Sequence, residues 1–82
     1  MKTIHDPRYR RAIGALKQAR FRSQLTQKEV CRQLGWHRTR LSNIERLQRR
    51  ADLIEVYELA RVFGITMNVI VKCLVAKNSS KA

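Results

Sequence analysis

The sequence predicts an all-α fold of five short helices packed into one domain. Three observations carry that expectation. Apolar residues recur at i, i+3 and i+4 spacing in five successive stretches. Helix-start residues (Asp6-Pro7, Thr26 with Glu29, Asp52 with Glu55, Thr66) open four of these stretches, and Gly35 and Gly64 close two. One proline and three glycines leave little turn chemistry for a β architecture. Eighty-two residues are enough for one modest core.

The first helix is expected from about Pro7 to Arg22. Asp6 serves as N-cap and Pro7 takes the first helical position, where a missing N–H costs nothing. Ala12, Leu16, Ala19 and Arg20 share a face, with Ile13 beside them. Arg20 is anomalous there, as a snorkelling side chain or as a paired internal charge. Leu25 is an apolar plug between helices. Thr26 and Glu29 have capping-box spacing, so a second helix follows, with Val30 and Leu34 one turn apart and Gly35 ending it. A third helix, about 37–46, buries Leu41 and Ile44. Its other face carries Arg38, Thr39, Arg40, Ser42 and Asn43, with no acid among them. Trp36, between these two helices, is expected to seal their angle from the core side.

A basic connector at 47–51 leads to a fourth helix capped by Asp52. Leu53, Val56, Ala60 and Phe63 form its expected buried stripe, flanked by Tyr57 and Leu59. After Gly64, a fifth helix at about 67–76 is apolar nearly all round. Met67, Ile70, Val71 and Leu74 are assigned to the core. Val69, Cys73 and Val75 are then left over, and this surplus points to a second copy of the chain: a homodimer through the C-terminal helix. The domain is placed at 6–76, between a flexible N-terminus at 1–5 and a disordered tail at 77–82.

Charge narrows the function. The net charge is +12, and residues 1–50 hold fourteen Lys/Arg against three Asp/Glu, or +11. A basic region so confined is the footprint of a polyanion binder; a membrane surface or an acidic protein are the other candidates. The sequence shows no signal peptide and no apolar run of membrane-spanning length, so a cytoplasmic, nucleoid-associated protein is expected. Cys31 and Cys73 are read as reduced thiols in apolar helical patterns. His5, His37 and the two cysteines lack metal-site spacing, and no Gly-rich phosphate loop exists. The expectation is no enzyme, no metal, no cofactor and no small-molecule ligand.

Arg20, LTQKEV at 25–30, LG at 34–35, RTRLSNIER at 38–46 and LARVFGI at 59–65 together resemble the phage-repressor and Cro-like, XRE-type helix-turn-helix family. The resemblance implies a compact five-helix repressor-like domain that binds double-stranded DNA, with the helix at 37–46 in the major groove. It places the base-contacting role on His37, Arg38, Thr39, Ser42 and Asn43. Arg38 suits guanine O6/N7, Asn43 suits adenine N6/N7, and Thr39 offers a methyl or a hydroxyl. It places phosphate contacts on Gln27, Arg40, Arg46, Arg49 and Arg50. It also implies an internal ion pair between Arg20 and Glu45, which would resolve the Arg20 anomaly.

The expected function is therefore a dimeric transcriptional regulator, a repressor, acting on an inverted-repeat operator. An antitoxin-like or other partner-binding module with secondary DNA binding is the alternative, and RNA or non-specific nucleic-acid binding a third. Three positions depart from the family pattern. Leu47 replaces the usual glycine after the IER run, which argues against a positive-φ turn there and for a longer helix or a reshaped loop. Ala51 stands where proline is common, and Gln24 where glycine usually precedes the Leu25 plug.

Overall fold

A computed structural model describes residues 3–75. A 3-10 turn at Thr3–His5 is followed by α1 (Pro7–Arg22), α2 (Gln27–Leu34), α3 (Arg38–Glu45), α4 (Leu53–Phe63) and α5 (Met67–Val75). No strand occurs among the described residues. The expected tail at 77–82, the last residue of the expected fifth helix (Ala76) and Met1–Lys2 lie outside them. Thr3–His5 turns against α1, where a flexible start was expected.

The Asp6 carboxylate caps α1, accepting from the Arg8 backbone N–H at 2.8 Å and from the Arg8 guanidinium at 3.0 and 2.7 Å. This helix is the spine of the molecule. It packs most extensively on α5 and also against α3 and α4. Ala12, Ile13, Leu16 and Ala19 supply its buried side, and Arg20 is buried with them. The core closes over Val30 and Cys31 of α2, Leu41 and Ile44 of α3, and Leu59 of α4, all essentially inaccessible. Side chains of this size each contribute about 1.5–3 kcal/mol when withdrawn from water.

Two helices are rotated from the expected orientation. In α4, Leu53 is 72% exposed and Leu59 is only 1% exposed. The inward stripe is Glu55, Val56, Leu59, Ala60 and Phe63. Glu55 accounts for the rotation: its carboxylate is held inward by arginines, and a residue two positions earlier on a helix points to the opposite side. In α5, Ile70 is buried and Met67 and Cys73 pack against the core, while Val71 and Leu74 are exposed. Arg11 Nε donates to the Cys73 carbonyl at 3.0 Å and fixes the last turn of α5 against α1. An all-round apolar helix cannot announce which of its faces turns inward.

The first four helices end in the same manner. Gln24, Gly35, Leu47 and Gly64 have φ of 59°, 71°, 62° and 72°. In each case the next N–H closes back on a carbonyl of the last turn: Leu25 to Arg20, Trp36 to Cys31, Gln48 to Asn43 and Ile65 to Ala60. Leu47 thus keeps the left-handed turn that its side chain argued against. A left-handed non-glycine residue costs about 1–2 kcal/mol. At Leu47 the closing hydrogen bond and packing of the side chain against the core oppose that cost.

Candidate nucleic-acid interface

The α2–turn–α3 unit is fixed by local chemistry at each end. At its start, Thr26 Oγ1 accepts from the Glu29 N–H at 3.1 Å, and Glu29 Oε1 accepts from the Thr26 N–H at 2.8 Å. The Thr26 backbone N–H, followed by its hydroxyl, holds the Glu29 carboxyl below its ordinary pKa. Across the turn, the buried Cys31 thiol donates to the Arg38 carbonyl at 3.9 Å. Trp36 is half-buried against the core, and the Arg40 guanidinium lies over its ring at 4.8 Å.

His37 is the N-cap of α3. Its Nδ1 accepts the Thr39 N–H at 3.3 Å and sits 2.9 Å from the Thr39 hydroxyl. With Nδ1 accepting, Nε2 carries the ring proton. Arg38 and Thr39 are exposed, and Ser42 and Asn43 are half-buried. Gln27, Lys28, Arg38, Thr39 and Ser42 line one shallow depression of about 370 Å³ between the starts of α2 and α3. Asn43 sits one turn further on, its Oδ1 3.4 Å from Arg46 Nη2, which also reaches Gln48 at 3.3 Å.

Beneath this face lies Glu45. Arg20 donates to both of its oxygens, at 2.7 and 2.9 Å, and the carboxylate is 4% exposed. The remaining Arg20 end donates to the Leu25 carbonyl at 3.0 Å. Gln27 Nε2 donates to Glu45 Oε1 at 2.8 Å. One carboxylate therefore joins α1, α2 and α3. Leaving either charge of such a pair buried and alone costs about 3–5 kcal/mol. The Glu45 contact takes one Gln27 amide hydrogen and leaves the other.

The arginines proposed for phosphate contact divide. Arg50 is exposed and has no ion-pair partner among the described residues. Arg40 and Arg49 both meet Glu55, at 3.2 and 3.0 Å. In the sequence Glu55 reads only as half of a capping box. Its arginine partners lie 15 and 6 positions away, and no spacing rule connects them. Leu53, Ile54 and Tyr57 also form an unforeseen exposed apolar patch on the first turns of α4. The expected leftover set on α5 changes too. Val69 and Val75 are exposed, but Cys73 packs inward, and Val71 and Leu74 take its place outside. No group of three or more His, Cys, Asp or Glu among the described residues could hold a metal ion. No helix among them is long and apolar enough to cross a membrane.

A short capped helix, a glycine turn and a second helix with a basic, acid-free outer face define a helix-turn-helix DNA-binding module. A helix-turn-helix family profile matches residues 16–70, well over half of the chain. The chain belongs to this family, the XRE-type, phage-repressor and Cro-like DNA-binding transcription regulators. No curated protein and no solved structure matches it.

Proposed function

We propose that the protein is a sequence-specific, double-stranded DNA-binding repressor that acts as a homodimer and reads the major groove with α3. The observation that carries this is the outer face of α3, where Arg38, Thr39, Ser42 and Asn43 stand on a frame locked by the Arg20–Glu45–Gln27 network. Arg38 is suited to guanine and Asn43 to adenine; His37 Nε2–H, Thr39 and Ser42 complete the set of donors, acceptors and a methyl. Arg46, Arg50, Arg40, Arg49 and Gln27 supply phosphate contacts that set register.

The dimer forms through one side of α5, where Val71 and Val75 are exposed one turn apart with Leu74 beside them. Two such subunits address half-sites about 34 Å apart on an inverted repeat. A DNA-binding domain that occupies its site excludes other proteins from it, hence repression. The same apolar face could seat a different protein, as in an antitoxin-like module.

The test is selection of the purified protein against a random duplex library near physiological salt. An enriched inverted repeat is the expected result. A single enriched half-site would remove the dimer and keep base reading. Salt-sensitive binding with no enrichment would overturn the sequence-specific reading.

A further inference from the structure

Glu55 is a buried acid at the edge of the DNA-facing side of a strongly basic chain. Its carboxylate is 8% exposed. Oε2 meets Arg40 Nη1 of α3 at 3.2 Å and Arg49 Nη2 of the connector at 3.0 Å. Oε1 accepts from Arg49 Nη1 at 3.2 Å and from the Asp52 N–H at 2.9 Å. Capping α4 needs only the last of these contacts. Glu29, at the equivalent position of the other capping box, bonds Thr26 alone and is less buried. The arginine contacts of Glu55 are therefore additional to its helix.

A guanidinium has five N–H donors, of which Arg49 spends two on Glu55 and Arg40 one. Both side chains remain about 40% exposed, so each retains donors for another anion. Arg40 is clamped from its second side by the Trp36 ring. Two long side chains from different segments are thus already ordered before any ligand arrives. Ordering such chains at the moment of binding would otherwise weaken it.

We propose that Glu55 is a positioning residue for DNA, presetting Arg40 and Arg49 as a joined pair of phosphate donors. The proposal rests on the DNA-binding reading above. It inverts the simple electrostatic expectation. Neutralising an acid on a polyanion binder should tighten binding; neutralising this one should loosen it.

The experiment titrates wild type, Glu55→Gln and Glu58→Gln with a labelled mixed-sequence duplex of about two helical turns, over a series of salt concentrations. Glu58 lies on the same helix and pairs with Arg61, so its variant makes the same charge change away from Arg40 and Arg49. Glu58→Gln should bind as tightly as wild type or slightly tighter. Glu55→Gln should bind about five- to tenfold more weakly. The slope of log affinity against log salt should also become shallower by about one to two, because two phosphate contacts are lost. A merely structural role would lower the melting temperature and leave that slope unchanged.

Arg49→Lys keeps the charge at a half-exposed position but loses the two-pronged contact, and covers the case in which Glu55→Gln fails to fold. It should bind about threefold more weakly or worse. Wild-type affinity in Arg49→Lys, or Glu55→Gln binding at least as tightly as Glu58→Gln, overturns this proposal alone. A wild type that does not bind duplex DNA overturns it together with the DNA reading.

Discussion

Arg38 and Arg50 are both exposed arginines without an ion-pair partner among the described residues, yet the proposed roles separate them. Arg38 opens α3 beside Thr39 and Ser42, where a planar fork can address a base edge. Arg50 lies on the connector, outside that depression. Arg38→Ala should cost about 1–3 kcal/mol on the selected site and relax preference at one base position. Arg50→Ala should weaken all sequences alike and reduce the salt slope by about one. Competition binding with single-base variants of the site checks both. A uniform loss in both variants would show that Arg38 reads no base.

At the scale of elements, helix ends decide the most. Gln24 is exposed, with φ of 59° and no role other than turning the chain. Gln24→Gly should raise stability by up to about 1 kcal/mol, the left-handed strain relieved less the backbone entropy glycine adds. Thermal melting reads this directly, and a lower midpoint would refute it. The carboxyl caps add an acid limb. Hydrogen bonds from the Arg8 side chain, then its backbone N–H, lower the Asp6 pKa from 3.8 to about 2, and Thr26 lowers that of Glu29 below 4.5. Depressed carboxyl values mean that the unfolded chain binds more protons. The stabilisation is then complete above about pH 5 and is lost as pH falls toward the folded values. Melting temperature should hold from about pH 7 to pH 5 and decline between about pH 4 and pH 2. Asp6→Asn should shrink that decline.

The whole molecule was legible in the sequence to the extent that its determinants are local. Both capping boxes, the Asp6-Pro7 start and the Gly35 and Gly64 ends each depend on residues a few positions apart. The Arg20–Glu45 pair is long-range, and only the family pattern points to it. The rotations of α4 and α5 were not legible, because they depend on tertiary partners: Glu55 with Arg40 and Arg49, and Arg11 with the Cys73 carbonyl. That rotation matters for assembly. Val71, assigned to the core from the sequence, is 48% exposed, one turn before the exposed Val75. Val71→Lys should abolish the dimer in sedimentation while changing monomer stability by no more than about 0.5 kcal/mol. If Ile54→Lys abolishes it instead, the interface is the α4 patch.

The placement of Glu45 has a consequence for motion. It is the last residue of α3, and it holds Arg20 of the spine and Gln27 of α2. The end of α3 is thereby a bond within the core. Short helices ordinarily fray, and their amides exchange with solvent through small local openings. Here, opening the end of α3 would strand the buried Arg20 charge. Amide protons in the second half of α3 should therefore exchange only through global unfolding, at the same free energy as those of Leu16 and Leu59, while those of α5 exchange sooner. The surface proposed to read the groove would then exist whole or not at all, and a population that is folded is a population with that surface formed.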